Sequence, residues 1–164
     1  MEILIFIEIP KNSKVKFEFD EKLKAIKLDR VLYGPNYFPF EYGFIKETLG
    51  EDGDPLDCVL ISSESTFPGC LVEARPIGIL EMEDEEGIDN KILAVPLEKI
   101  DPNFKEIKDL SDLPSHLKIK IKEFFETYKR LEPEKWVKLR DFKRREEAEK
   151  LIEEAKKKFN ETKI

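Results

Sequence analysis

Val15-Lys-Phe-Glu-Phe-Asp20 alternates apolar and charged residues without a break. Successive side chains of a strand point to opposite faces, so Val15, Phe17 and Phe19 share an apolar face opposite Lys16, Glu18 and Asp20. Further short strands are expected at Ile3–Ile9, Ala25–Leu32, Cys58–Ser62, Leu71–Met82 and Ile92–Pro96, separated by Gly, Pro and Asp clusters. Many short strands with a mixed pattern favour a closed or partly closed barrel. Two helices are expected after them. Leu117, Ile121, Phe124, Phe125 and Tyr128 fall at helical spacing behind Pro114. From about Arg144, Ala148, Leu151, Ile152, Ala155 and Phe159 line one face, with acids early and Lys156, Lys157 and Lys158 late, which complements the helix dipole. Between the helices, Trp136-Val-Lys-Leu139 reads as a short strand, its Trp expected to pack. The class is α+β, mainly β.

The 164 residues are expected to form one domain, 1–164, with a core of its own. Charged residues make up 40% of the chain, and 29 basic against 36 acidic side chains leave a net charge of −7. That balance argues against a nucleic-acid backbone as the main partner. Cys58 and Cys70 are too few for a disulfide framework, and the one histidine, His116, excludes a His-rich metal site and is expected at the start of a helix. The apolar opening, Met1 to Pro10, carries Glu2 and Glu8 and has neither a basic leader nor a small-residue cleavage site. It reads as a strand, no segment is long enough to span a bilayer, and a cytoplasmic location is expected. Glutamine is absent while Lys and Glu abound, a bias found in heat-adapted proteins.

Asp52-Gly-Asp-Pro-Leu-Asp57 sets three carboxylates within six residues on a restrained backbone. Gly53 can take dihedrals closed to other residues, and Pro55 fixes its own φ while holding Asp54 extended. Like charges ~4 Å apart repel by roughly 4 kcal/mol near a protein surface, so protons or cations must relieve the cluster. Three hard oxygen donors at a rigid turn point to Mg²⁺ or a similar ion, and Mg²⁺ commonly partners phosphate. A solvated acidic hairpin tip is the competing reading.

A second acidic run, Glu81 to Lys91, lies in a turn between two strands. Alone it reads as a solvated loop, but beside the first cluster it offers a second carboxylate set that could share ions. The positions after Asp52 do not follow the EF-hand pattern, and no phosphate-cradling glycine loop, HExxH or GxSxG motif occurs. Lys16, Arg30 and Lys129 are candidates for holding an anion. Each, like Tyr42 and Tyr128, also has an ordinary structural reading as surface charge or core.

Asp52-Gly-Asp-Pro-Leu-Asp-Cys58 resembles the signature of the soluble family I inorganic pyrophosphatases. Ile7-Glu-Ile-Pro10, Lys16-Phe-Glu18, Asp29-Arg30, Tyr42-Gly43, Arg75-Pro-Ile-Gly78 and Asp84 through Lys91 occur in that family's order and spacing. So do Ala94-Val-Pro96, Ile107-Lys-Asp109, Phe124-Phe-Glu-Thr-Tyr-Lys129 and Trp136-Val-Lys138. The resemblance covers nearly the whole chain. It departs at Glu41, where Asn or Asp is expected, and in the variable stretch Tyr33 to Tyr37, neither of which carries an implied role.

The resemblance implies a five-stranded, OB-like barrel flanked by two C-terminal helices, and Mg²⁺-dependent hydrolysis of pyrophosphate to two orthophosphates. Asp52, Asp57 and Asp89 would hold the first metal and Asp57 would bridge to a second. Asp84 and Asp89 would take further ions, with Glu8 and Glu18 nearby, partly through water. Asp54 would be the general base, and Lys16, Arg30, Tyr42, Lys91, Tyr128 and Lys129 would bind the phosphates. A homohexamer is implied as well. On this reading, Arg30→Ala harms affinity and rate while leaving the melting temperature alone. Two other classes compete: an OB-like module binding nucleic acid or another anion, tested by retention on DNA, and a metal buffer without turnover, tested by phosphate release.

Overall fold

A computed structural model describes residues 1–163. Nine strands, β1 (Ile3–Ile9), β2 (Val15–Asp20), β3 (Ala25–Val31), β4 (Glu41–Ile45), β5 (Asp57–Leu60), β6 (Leu71–Asp84), β7 (Gly87–Ile88), β8 (Lys91–Pro96) and β9 (Val137–Arg144), accompany two α-helices, α1 (Ser115–Thr127) and α2 (Arg145–Glu161). Five of the strands close a ring, β1-β4-β5-β8-β6 and back to β1. All ring neighbours are antiparallel except β5 and β8. This is the OB-like barrel expected from the sequence.

Strand β6 closes the ring because it is long and bends. Its first residues pair with β1 (Ala74 opposite Ile3), while Gly78 to Leu80 pair with β8 on one edge and β9 on the other. The register against β8 shifts between Pro76 and Gly78. Proline lacks the ladder N–H and is tolerated in sheets at such irregularities. Gly78 fits there because a Cβ would lie 2.6 Å from the Lys143 carbonyl oxygen.

Two cores share the ring walls. Along β8 every residue is buried, and alternate side chains serve different sides. Ile92 and Ala94 join Ile3, Ile5, Ile7 and Ile45, capped by Ala148 and Ile152 of α2. Leu93 and Val95 face Phe38, Phe40 and the α1 residues Ile121, Phe124 and Phe125. Asp109 ties the helical end together, accepting from the Arg145 backbone N–H at 2.8 Å, Arg144 Nε at 2.7 Å and Ser111 Oγ at 2.7 Å. Helix α2 carries Glu146 and Glu147 in its first turn and Lys158 in its last, as the dipole favours. His116 is exposed in the first turn of α1.

Several expectations change. Val15–Asp20 does form a strand, but β2 and β3 make a separate two-stranded sheet outside the ring. Strand β4 was not legible, because the buried Glu41 and the interior Gly43 break the strand pattern. The acidic run is shorter as a turn than expected, since β6 continues to Asp84 and β7 turns straight back on it. Trp136 is half exposed rather than packed, and the strand behind it runs to Arg144 instead of ending at Leu139.

Candidate active site

Lys91 opens β8 and is only 3% exposed. Its Nζ donates to Tyr42 Oη at 2.7 Å and Asp57 Oδ2 at 2.9 Å, and lies 2.9 Å from Asp89 Oδ2. Burial alone would discharge such an ammonium, but Asp57, Tyr42 and Asp89 outweigh it and hold its pKa well above the usual lysine value. The same burial, with Asp57 beside it, pushes the Tyr42 phenol up and keeps it neutral. Asp57 begins β5 and Tyr42 lies on β4, so three adjacent ring strands supply this cluster.

A second buried ammonium sits just past α1. Lys129 is 5% exposed and its Nζ lies 3.0 Å from Asp84 Oδ2, at the end of β6, and 3.1 Å from Glu85 Oε2. The neighbouring Tyr128 phenol is pushed up by burial while Lys91 and Lys129 pull it back, and Asp89 and Arg30 also act on it. Tyr128 therefore lies within electrostatic range of both lysine clusters and of Arg30 on the hairpin.

The β2–β3 hairpin brings the remaining cations. Lys16 pairs across the hairpin with Arg30. Lys16 Nζ is 3.3 Å from Asp29 Oδ2, Arg30 Nη1 donates to the same oxygen, and Arg30 Nε lies 2.8 Å from Glu132 Oε1. Phe19 packs edge-on against Phe6 of β1, ring centroids 5.3 Å apart, and its N–H donates to Glu8 Oε2 at 2.8 Å. Glu8 occupies an irregular step in the β1–β4 register, between Ile7 and Ile9, the kind of bulge that re-aims a side chain. Burial, with Asp57 and Glu18 adding to it, raises its carboxyl pKa to about 7 against the opposing Phe19 N–H and Lys16.

Asp52 and Asp54 lie in the exposed loop between β4 and β5. Gly53, at φ +87°, lets the chain reverse, so that Asp52 Oδ1 accepts the Asp54 N–H at 3.0 Å and the Gly50 N–H reaches Asp54 O at 2.7 Å. The buried Thr48 hydroxyl accepts the Leu56 N–H at 3.1 Å and anchors the loop's far end. Partial burial pushes the Asp54 carboxyl up, and Asp52, Glu21 and Glu86 add to it. Those last two belong to the β2–β3 and β6–β7 turns, so both turns lie within electrostatic range of the loop.

Among the described residues, no three Asp, Glu, His or Cys side chains already stand as a metal-holding group. The donors nonetheless suit a hard divalent cation. They are all carboxylates, the Lys91 ammonium already bridges Asp57 and Asp89 as a cation would, and Glu8 carries a charge burden that cations relieve.

Comparison with known proteins decides the family. A model of the family described as inorganic pyrophosphatase matches residues 5–160. The inorganic pyrophosphatase of Nanoarchaeum equitans is 51% identical over 97% of this chain and 98% of its own length. That of Saccharolobus solfataricus is 53% identical over 94% of this chain and 90% of its own. The solved inorganic pyrophosphatase of Helicobacter pylori superposes with a TM-score of 0.94 at 47% identity, covering 97% of this chain and 94% of that one. The chain belongs to the inorganic pyrophosphatase family.

This is a family of metal-dependent hydrolases. Of the pyrophosphatase residues named from sequence, the fold brings Tyr42, Asp57, Asp89 and Lys91 into direct contact, joins Asp84 to Lys129, and sets Lys16 beside Arg30 through Asp29. Asp52 and Asp54 lie in the exposed loop that leads into Asp57, and Glu18 is exposed on β2. Partners that the sequence did not disclose are Asp29, Glu85 and Glu132, the last buried with a side chain 4% exposed. Glu41, the departure from the pyrophosphatase pattern, is fully buried, and its carboxylate accepts the Lys11 and Thr66 N–H groups at 2.5 Å each. It staples two loops. No alternation or motif marks such residues, because their signal is a partner far along the chain.

Proposed function

We propose that this chain hydrolyses inorganic pyrophosphate to two orthophosphates, with Mg²⁺ as cofactor. The observation that carries the reading is the Lys91 ammonium held between Asp57 and Asp89 beside the Tyr42 hydroxyl. That pattern suits a site taking a polyanion together with its cations. Asp52, Asp57 and Asp89 would hold the first ion, Asp57 a second, and Asp84 and Asp89 the ions accompanying substrate, with Glu8 and Glu18 contributing partly through water. When bound, Mg²⁺ lowers the pKa of a coordinated water and neutralises charge on the phosphates.

The protein's own groups do the rest. Asp54 takes the proton of the attacking water as its oxygen bonds to phosphorus. The bridging P–O bond breaks, and Lys16, Arg30, Lys91 and Lys129 stabilise the charge growing on the leaving phosphate. The Tyr42 and Tyr128 phenols, kept neutral, donate hydrogen bonds to phosphate oxygens. The reaction requires no covalent enzyme intermediate.

Exposed apolar side chains at Leu4, Phe67 and Leu71 support a homo-oligomer, for which a hexamer is proposed and light scattering is the test. No helix among the described residues is long and apolar enough to cross a membrane. The free thiols Cys58 and Cys70 are consistent with the proposed cytoplasmic location. The deciding experiment is orthophosphate release from pyrophosphate with Mg²⁺, an EDTA control and ATP as competitor. Rapid release that needs Mg²⁺ and spares ATP is expected. A folded, Mg²⁺-binding protein that releases nothing would overturn the proposal in favour of a non-catalytic anion-binding module.

A further inference from the structure

Glu132 lies on neither the barrel nor the hairpin, yet its side chain is only 4% exposed. Its Oε1 stands 2.8 Å from Arg30 Nε and 3.2 Å from Lys135 Nζ. Its Oε2 is buried and has no hydrogen-bond partner among the described residues. Burying a carboxylate is costly, and half of this one is uncompensated, so stability alone is a weak explanation for it. What the carboxylate does is geometric. Its Oε1 forms a close ion pair with Arg30 Nε that is not aligned as a hydrogen bond, while Nη1 donates to Asp29, so the guanidinium is held between two carboxylates. Arg30 otherwise hangs from a two-stranded hairpin that is not part of the ring. Glu132 follows α1 by five residues and only two after it leaves Lys129, the cation paired with Asp84. The same connecting segment thus carries Lys129 and reaches Arg30 on the hairpin.

We infer that Glu132 is a positioning residue, setting the Arg30 guanidinium toward the pyrophosphate phosphates and fixing the hairpin wall at its working distance from Lys129. The inference rests on the proposed pyrophosphatase reading. A positioned arginine loses no freedom when it binds phosphate, whereas a freed one must be ordered at that moment.

The test compares wild type, Glu132→Gln, Arg30→Met and the double variant Glu132→Gln/Arg30→Met. Each is measured for KM and kcat on pyrophosphate, for affinity towards methylenebisphosphonate with Mg²⁺, and for melting temperature. Glu132→Gln is expected to weaken bisphosphonate affinity about ten-fold, the size of one lost charge-assisted contact, and to raise KM more than it lowers kcat. In the Arg30→Met background the same change is expected to do nothing further to affinity. Equal losses of affinity from Glu132→Gln with and without Arg30 would overturn the inference, as would wild-type affinity in a folded Glu132→Gln. If Glu132→Gln does not fold, the comparison of the double variant with Arg30→Met decides: matching affinities support the inference and a further loss defeats it. Wild-type protein that binds bisphosphonate but releases no phosphate would instead refute the pyrophosphatase reading.

Discussion

Gly43→Ala tests how the fold delivers the site. Gly43 lies opposite Ile7 where β4 pairs with β1, between Tyr42 and Phe44. A Cβ at this position would fall 1.9 Å from the Phe6 carbonyl oxygen and 3.0 Å from Ile7 Cα. These are backbone atoms, so no rotamer change relieves the contact. The strands must part by more than an ångström, which takes ladder hydrogen bonds of about 2.9 Å beyond useful length. Two lost bonds at about 1 kcal/mol each, plus about 1–3 kcal/mol of overpacking against the fully buried Ile5, Ile7 and Ile45, give a cost of about 3–5 kcal/mol. At about 2–4 °C per kcal/mol for a chain of this size, the melting temperature falls by roughly 6–20 °C. Tyr42 moves with the strand, so its phenol leaves Lys91 and kcat/KM drops about ten-fold or more even where the protein stays folded. Gly53→Ala is the control. A Cβ there meets nothing within 4 Å, and only its φ of +87° is strained, costing about 1 kcal/mol. Thermal melts and steady-state kinetics on both variants are the assay. A Gly43→Ala protein melting within about 2 °C of wild type, with its activity intact, would refute the close strand approach on which this reasoning depends.

Asp54→Asn is expected to keep the fold while lowering kcat by about 10²–10⁴, the scale of general-base loss, and near wild-type turnover would remove Asp54 from that role. Asp57→Ala is expected to weaken Mg²⁺ activation more than changes at the other acids, because that carboxylate would serve two ions; an unchanged Mg²⁺ titration would sink the bridging role. Arg30→Ala, which the sequence alone presents as a purely functional change, is expected to lower the melting temperature as well, since it strands the buried Glu132 carboxylate. An unchanged melt would show that Lys135 compensates fully. Partial burial pushes the Asp109 carboxyl up, but the Arg145 N–H, with Ser111 and Arg144, outweighs it and holds the pKa well below the usual carboxylate range. Its contribution is thus fully present above the unfolded value near 3.8 and is lost as pH falls below it. Asp109→Ala is expected to cost about 1–2 kcal/mol at pH 7, with the gap to wild type narrowing between pH 4 and pH 2 in chemical denaturation. A gap independent of pH would rule out the charged capping role.

The sequence by itself determined the class of structure and the chemistry of the donors. Alternation at Val15–Asp20 and the helical spacing from Leu117 to Tyr128 are local signals, set by side-chain direction along a strand or helix, and both elements formed where they were read. The Asp52–Asp57 loop was legible for the same reason: Gly53 and Pro55 impose their dihedrals whatever surrounds them. Tertiary structure decided everything that depends on distance through space. Nothing local says that the Val15–Asp20 hairpin stands off the barrel, that β6 bends at Pro76 to close the ring, or that Gly43 must lack a side chain to admit Phe6. Nor does Lys91, one cation in an acidic run, announce that Asp57 and Tyr42 will enclose it from strands far earlier in the chain. Glu132 and Glu41 were the least legible of all. A buried carboxylate is tolerated only through the partners the fold brings to it, and those lie at least 25 residues away at their principal contacts, Arg30 for one and Lys11 and Thr66 for the other.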